Sequence, residues 1–444
     1  MVNDYLIADQ TVYTLQTAGY EGFLRMLPVY LDHLLRPTIT DAGYTTEIHH
    51  INPAGEDAGV VYSEMQGRST SPFDLMEDKH RALMYANDSA YKSETGGRME
   101  ALRVLTADKV RDFHKKYYSP HNMSLVVTGD MPTEKLMSVM QDVIEPRIIS
   151  DAKERNIEIG VKPTGWKRPF VETSSSKRLK LDHSQRSTVE FPEQDESVGE
   201  VELSWVGDKT NNYLTTKALD ILGTYLTDSP ISPLQKQLVE IPSPLCTDIT
   251  VYNRERVCND TIHLCLSSVP TSELENIENK IMDIFKNIET EGIDMDRMNL
   301  VLKRDRVKLL DISERQPSMA FSWILISDHL YGDTEGKDLK EALDEMKRCD
   351  ELAKWTSQDW VNLLKKYFID APFVNVRGKP SSTLAKTLAE KEEKRLDEQR
   401  KKLGDEGLKK AKEILDEAQV ENNKPIPPGK FSFHNFFFYY VKVY

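Results

Sequence analysis

The 444-residue sequence contains little cysteine, and its few cysteines follow no metal-binding or disulfide pattern. Cys246, Cys258, Cys265 and Cys349 form no C-x-x-C pair, and no histidine accompanies them at the spacing of a zinc finger. A structural zinc site built from cysteine is therefore not expected. Few cysteines without a disulfide framework are typical of a reducing compartment, which favours the cytosol, with the mitochondrial matrix as the alternative.

Signals for export and for membrane insertion are also missing from the sequence. Residues 1–10 have no basic segment followed by an apolar run, so no secretory signal is expected. The longest apolar stretches, such as residues 436–441, are far shorter than the roughly 20 residues of a membrane-spanning helix. The 72 acidic and 58 basic residues give a net charge of −14, which argues against a nucleic-acid-binding surface. The sequence therefore predicts neither a membrane nor a nucleic acid as partner.

A complete zinc motif of the peptidase type is missing as well. Neither H-x-x-E-H nor H-E-x-x-H occurs anywhere in the chain. Among the ten histidines only His49 and His50 lie within five residues of each other. Adjacent side chains point in different directions on a strand or a helix, so these two are not expected to share a metal ion. The residues alone predict no complete zinc site.

The length of the chain indicates two or more domains. Apolar residues at three- and four-residue spacing predict a helix over residues 21–35, and Thr106 is a candidate cap for a helix through Tyr117. Residues 11–17 and 124–128 are predicted strands because β-branched and apolar residues dominate them. These elements form a first predicted domain over residues 1–150, and a connector is predicted over residues 151–198.

A second mixed domain is predicted over residues 199–379. Its predicted strands are residues 199–206, 245–251 and 261–267, and its predicted helices are residues 213–226, 272–289, 294–310 and 357–367. Two units of similar size, each with strands and helices, favour a repeated α+β architecture.

Residues 380–423 are dominated by Lys, Glu, Arg and Asp. Their apolar positions are sparse, so a solvent-exposed helical hairpin is predicted, interrupted between Gly404 and Gly407. The tail, residues 429–444, is rich in Phe and Tyr and has no amphipathic pattern. Our hypothesis is that this tail is a translation artefact.

The segment around Glu64 is the most informative one for chemistry. A helix that begins near Glu56 would place Asp57 and Glu64, which are seven residues apart, on one face about two turns apart. That face would lie beside the apolar Val60 and Val61, where a carboxylate needs a partner because an unpaired buried charge is costly. From residue type alone, Glu64 is either an exposed surface residue or a metal ligand.

Residues 57–67 resemble the helix that carries the distal glutamate ligand in inverted-motif zinc peptidases, the family of pitrilysin, insulysin and presequence protease. Residues 3–13 resemble the strand that lines the peptide channel of those enzymes. Residues 95–106 and 112–122 resemble the end of their first domain.

The resemblance continues beyond this first part of the chain. Residues 200–207 and 232–238 are similar to the opening strand and the following helix of the family's second domain. The charged hairpin with residues 423–427 is most similar to the presequence-protease branch and its fungal and invertebrate relatives. In total the resemblance covers residues 3–427.

The resemblance implies a zinc metalloendopeptidase with two repeated α+β domains, each an antiparallel-rich sheet covered by helices, followed by a charged helical hairpin. In this family two histidines and the distal glutamate bind Zn²⁺, and the glutamate of H-x-x-E-H activates the bound water. Glu64 matches the distal zinc ligand, and Asp57 matches a supporting acid that orients a histidine. Asn3, Thr11 and Tyr13 fall on the substrate-channel strand, and peptides are the implied substrates.

The sequence departs from the family pattern in lacking the histidine motif. In the family this motif lies about 75 to 100 residues before the distal glutamate, whereas 63 residues precede Glu64 here. We therefore expect the water-activating glutamate to lie upstream of Met1, and the second half of such an enzyme to be a partner of this chain. This chain is then inactive by itself. The alternative is a non-catalytic structural or interaction homologue of the family.

Overall fold

A computed structural model describes residues 2–154, 164–168, 179, 181–333 and 335–425. The structure mixes helix and sheet, which confirms the α+β class. The aromatic tail at residues 429–444 lies outside the described residues. The chain divides into two compact units, a first one of Met1–Pro37, Gly67–Gly97 and Phe113–Lys391 and a second one of Thr38–Gln66, Arg98–Asp112 and Glu392–Tyr444.

Strands and helices alternate along the chain. The amino-terminal third contains β1 (Val2–Ile7), β2 (Gln10–Leu15), α1 (Tyr20–Leu35), α2 (Asp41–Glu47), β3 (His50–Ile51), β4 (Asp57–Ala58), α3 (Val60–Arg68), α4 (Pro72–Met84), α5 (Met99–Leu102), α6 (Ala107–Tyr117), α7 (Thr133–Val139) and α8 (Glu145–Glu154). The remainder contains β5 (Gln185–Pro192), β6 (Val198–Lys209), α9 (Tyr213–Thr227), β7 (Asp248–Arg254), β8 (Asn259–Pro270), α10 (Ile277–Glu291), α11 (Met295–Arg315), α12 (Pro317–Tyr331), α13 (Lys337–Leu343), α14 (Glu345–Leu352), α15 (Ser357–Leu364), β9 (Phe373–Ser381) and α16 (Ser382–Asn422). Within the described ranges, no helix has both the length and the apolar character needed to cross a bilayer.

A five-stranded sheet in the order β5-β9-β6-β8-β7 organises the first unit. Neighbouring strands are antiparallel, except that β5 and β9 are parallel. Because successive side chains point to opposite faces of a strand, β6 directs Val201, Leu203 and Trp205 to one face, and Glu202 and Ser204 to the other.

The apolar face of this sheet packs against α9, α10 and α15 to form the main core. Trp205 lies at its centre with no exposed surface, and its indole Nε1 donates to the carbonyl oxygen of Phe368 at 3.1 Å. The rings of Phe285, Phe368 and Phe373 surround the Trp205 ring, with centroids 5.0 to 6.5 Å away. Each predicted strand and helix of residues 199–310 is present, although β7 begins at Asp248 instead of residue 245 and α10 at Ile277 instead of residue 272.

The opposite face of the sheet is buried too. Met76 and Met84 of α4 pack with Val374 and Val376 of β9 on this side. A strand that alternates apolar and polar residues usually turns the polar ones to water. Here the covering helix buries them, so the polar residues of β6 and β8 must find partners inside the protein.

The second unit is small and has its own apolar centre. Tyr62 and Met65 of α3 pack there with Leu102 of α5. The charged segment α16 is helical on both sides of Gly404, whose backbone is non-helical at φ 61° and ψ −177°. This break confirms the predicted interruption of the helical hairpin.

Some predictions of local structure are wrong. Residues 124–128 form no strand, since none of the described strands pairs with them, and Leu125 is 41% exposed. Within residues 151–198, predicted as a connector, the structure has β5, an edge strand whose partner β9 lies almost two hundred residues further along. The predicted domain ranges, the connector included, stay predictions.

Leu203→Ala is expected to lower the free energy of unfolding by about 2–5 kcal/mol, because this fully buried side chain would leave a cavity. Leu300→Ala removes the same atoms at a position that is 54% exposed. This change is expected to alter the free energy of unfolding by less than about 0.5 kcal/mol. Urea unfolding followed by circular dichroism measures both. Equal losses for the two variants would contradict the placement of Leu203 in the core.

Candidate functional site

Helix α3 presents Glu64 to solvent. Tyr62 and Met65 on the same helix are 0% and 5% exposed, so one side of α3 is fixed in the apolar centre of the second unit. Glu64 itself is exposed and makes no hydrogen bond or ion pair with any residue that the structure describes. Its carboxylate is therefore available to bind a metal ion.

Asp57 does not share the helix of Glu64, so this prediction is wrong. Asp57 lies in β4, which pairs with β3, and α3 begins only at Val60. Gly59 stands between them with φ +132°, and a Cβ at this position would lie 2.4 Å from the carbonyl oxygen of Ile48. This backbone conformation, which L side chains rarely adopt, prevents a helix from starting at residue 56. Val60 is moreover 58% exposed, so it is not part of a buried stripe.

Asp57 is the centre of a polar cluster within the second unit. Its Oδ1 accepts a hydrogen bond from His49 Nε2 at 2.7 Å, and its Oδ2 accepts from Arg395 at 2.8 Å and Gln399 at 3.2 Å. Arg103 Nε lies 3.7 Å from the same oxygen. Burial alone would raise the pKa of Asp57, but the hydrogen bonds from His49, Arg395 and Gln399 outweigh it and lower the pKa to about 2. Asp57 is thus a charged anchor for α16.

The two adjacent histidines have separate partners. His49 contacts Asp57, and its ring lies against Tyr62 with centroids 5.2 Å apart. His50 Nδ1 lies 2.7 Å from the carbonyl oxygen of Thr45. As their adjacent positions predicted, the two imidazoles do not converge on one site.

The residues predicted to line a substrate channel lie in the β1–β2 hairpin of the first unit. Asn3 pairs with Thr14 across the hairpin, and Thr11 is exposed. The hydroxyl of Tyr13 lies 2.5 Å from the hydroxyl of Tyr118. The hairpin brings Asn3, Thr11 and Tyr13 onto one two-stranded ribbon, and their contact with a peptide stays a prediction.

A further group of potential ligands, which the sequence did not reveal, is buried in the first unit. His80 of α4, Glu202 of β6 and His263 of β8 each place one ligand atom within 4.8 Å of the others. These residues are 2%, 4% and 1% exposed, and we call them the buried triad. Over the described ranges of the chain, this is the one group of three or more potential metal ligands. No spacing in the sequence signals it, since 61 residues separate Glu202 from His263.

Each histidine of the buried triad contacts a hydroxyl group. His80 Nε2 hydrogen bonds with the Ser204 hydroxyl, and His263 Nε2 lies 2.8 Å from Thr261 Oγ1. The other ring nitrogen of His263, Nδ1, lies 2.7 Å from Glu202 Oε1. Burial lowers the pKa of His80 to about 4 and of His263 to about 3, so both imidazoles are neutral at neutral pH. Burial also raises the pKa of Glu202.

An ion pair lies beside the buried triad. Glu77 of α4 accepts a hydrogen bond from Arg254 Nη1 of β7 at 2.6 Å. Burial would raise the pKa of Glu77, but the positive charge of Arg254 outweighs it and lowers the pKa to about 2. The second carboxylate oxygen, Oε2, is buried and has no hydrogen-bond partner among the described residues. The pair fixes α4 to the sheet and leaves one acceptor unused.

Asp57→Asn is expected to lower the free energy of unfolding at neutral pH by about 1–3 kcal/mol, since it removes the charge that Arg395 and His49 contact. The folded-state pKa of Asp57, about 2, is below the ordinary value of 3.8, so its contribution is complete above about pH 4 and is lost as the pH falls towards 2. Unfolding midpoints across this range should converge for the wild type and the variant. Asp108→Asn, at a carboxylate that is 85% exposed, is the control. A constant difference down to about pH 2 would contradict the role of the charge.

Glu77→Gln is expected to lower the free energy of unfolding by about 3 kcal/mol, because it leaves the largely buried guanidinium of Arg254 without a counter-charge. The double variant Glu77→Leu with Arg254→Met should cost less than Glu77→Gln, since no buried charge then remains. Asp311→Asn removes an exposed partner of Arg315 and should cost less than about 0.5 kcal/mol. Chemical unfolding of the four proteins gives the comparison. A double variant that is as unstable as Glu77→Gln, or less stable than it, would contradict the pairing of the two charges.

Comparison with known proteins agrees with this architecture. Residues 105–304 match the model of the peptidase M16 inactive domain. The chain is 35% identical over 426 residues to an uncharacterised protein of Schizosaccharomyces pombe, covering 96% of this chain and 40% of that protein. It is 24% identical over 424 residues to the mitochondrial presequence protease of the same organism, covering 92% and 40%.

A solved structure has the same fold. The first half of the periplasmic protease PqqL from Escherichia coli superposes with a TM-score of 0.56 at 13% identity, covering 96% of this chain and 81% of that one. The chain spans about two fifths of the length of the curated relatives it matches. Taken together, the domain match, the relatives and the fold place this chain in the M16, pitrilysin-type, peptidase family.

Proposed function

We propose that this chain contributes the distal zinc ligand, Glu64, to an M16 metalloendopeptidase whose histidine motif lies outside these 444 residues. The observation that carries the proposal is the placement of Glu64. Its carboxylate is exposed and uncommitted, while Tyr62 and Met65 hold the same helix in the core of the second unit. A rigid helix with one free carboxylate meets the requirement of a metal ligand, which must be held in position before the ion binds.

The residues present do not complete a zinc centre at Glu64. A catalytic zinc site takes three protein ligands and keeps one open position. Within the described part of the chain, Glu64 belongs to no group of three potential ligands, and the sequence has no H-x-x-E-H. In the proposal, peptide hydrolysis therefore belongs to a longer product, and this chain is inactive by itself. Its span of two fifths of its relatives supports this division.

Asp57 has a supporting role in this proposal. It is ionised and holds β4, the strand just before α3, to Arg395 and Gln399 of α16. The charged hairpin thereby fixes the start of the helix that carries Glu64. The carboxylate supports His49 of this chain, in addition to any histidine of the expected motif.

The relatives support a partner and a compartment for this proposal. The superposition on the first half of a larger protease supports a second half as the partner that completes the peptide chamber. The presequence protease of Schizosaccharomyces pombe is described as mitochondrial, which supports the mitochondrial matrix over the cytosol that the cysteine content favoured.

The alternative function is that of a non-catalytic member of the family. The missing motif favours it, and so does the match of residues 105–304 to a domain described as inactive. Glu64 lies outside those residues, however, so this description does not apply to its helix. The two functions differ in whether Glu64 is needed for zinc binding.

The complete reading frame of the gene distinguishes these functions, once it is sequenced and its protein product is expressed and assayed. If Glu64 is the distal ligand, the frame contains H-x-x-E-H ahead of Glu64. Glu64→Gln should then lower zinc affinity and peptide hydrolysis by about 100-fold or more, beyond the usual effect of losing a group that merely supports a ligand.

Glu100→Gln, at another exposed carboxylate of the second unit, is the matched control and should leave both properties unchanged. A frame without the motif, or a Glu64→Gln variant with full zinc affinity and activity, would favour the non-catalytic function.

A further inference from the structure

The buried triad has the composition of a metal site. Two imidazoles and one carboxylate are ligands that Zn²⁺ accepts, and all three ligand atoms lie within 4.8 Å of one another. In a tetrahedral zinc site the ligand atoms are roughly 3.3 Å apart. Side-chain shifts on the order of an ångström would therefore bring His80, Glu202 and His263 into that geometry.

Hydroxyl groups around the triad suit metal-bound histidines. A ligating histidine usually donates its other ring N–H to a nearby acceptor, which fixes its tautomer. Thr261 Oγ1 lies 2.8 Å from His263 Nε2 and can accept that hydrogen. His263 Nδ1 and Glu202 Oε1 share a hydrogen bond at 2.7 Å. Release of the shared proton would leave both atoms free to bind one metal ion.

Charge at this site favours a cation. Glu77 and Glu202 bring two carboxylates into a buried layer, and Arg254 pairs with Glu77. Among the residues described, Glu202 forms no ion pair with a lysine or an arginine, and its Oε1 contacts His263 Nδ1 at 2.7 Å. A carboxylate buried without a lysine or arginine at contact distance is costly. A divalent cation between the three groups would remove this cost.

We propose that His80, Glu202 and His263 form a buried zinc site that is distinct from Glu64. The site joins α4 to β6 and β8. Because its residues are at most 4% exposed, a substrate has no access, and the ion stabilises the docking of α4 on the sheet. The proposal stands independently of the proposed peptidase function, since none of its ligands is Glu64.

Zinc titration of the untagged 444-residue chain tests the proposal. After removal of metal by a chelator, the protein should bind one zinc ion per chain and should melt at a higher temperature with zinc than without it. With Co²⁺ in place of zinc, a visible absorption of tetrahedral intensity should appear. His80→Gln and Glu202→Gln, which keep most of the side-chain volume, should each weaken zinc binding at least about 10–100-fold.

Two controls separate this site from other zinc sites. His183→Gln, at a histidine that is 73% exposed, and Glu64→Gln should both bind zinc like the wild type. If His80→Gln does not fold, as judged by circular dichroism, Glu202→Gln provides the answer. The proposal is overturned if the stripped wild type binds no zinc, if folded Glu202→Gln binds it unchanged, or if Glu64→Gln alone removes it.

Discussion

Burial of both faces of the five-stranded sheet is the constraint on which this structure depends. The face towards α9, α10 and α15 is apolar and follows the ordinary logic of a core. The face towards α4 carries Glu202, Ser204 and His263, and an unpaired buried polar group costs about 1–3 kcal/mol. These side chains are therefore tolerated only because they satisfy one another and the residues of α4. The position of α4 is specified by polar complementarity as well as by Met76 and Met84.

The two carboxylates with a proposed metal role sit in opposite environments. Glu64 is exposed on a helix with a fixed inner side, so a partner that supplies histidines can reach it. Glu202 is buried with its histidines already in place, so nothing but a small ion can reach it. The first arrangement suits a catalytic centre completed from outside the chain. The second suits a structural centre that the chain forms alone.

Patterns among neighbouring residues predicted many of the helices and strands. They did not predict contacts between residues that are far apart in the sequence. Helix α1 and the strands β6 and β8 were predictable because the residues that specify them are neighbours in sequence. The prediction that a helix starts at residue 56 was wrong, because the backbone conformation of Gly59 and the pairing of β4 with β3 are incompatible with a helix there. Glu64 was identified through its resemblance to a family motif, whereas the buried triad has no motif, since its members meet only through the sheet and α4.

In our proposals this chain forms one metal site by itself, at the buried triad, and contributes one ligand, Glu64, to another. Anomalous diffraction at the zinc absorption edge, from crystals of the 444-residue chain grown with zinc, tests both parts in one map. We expect a peak between His80, Glu202 and His263 and none at Glu64. A map with no peak at the buried triad, or with its strongest peak at Glu64, would contradict it.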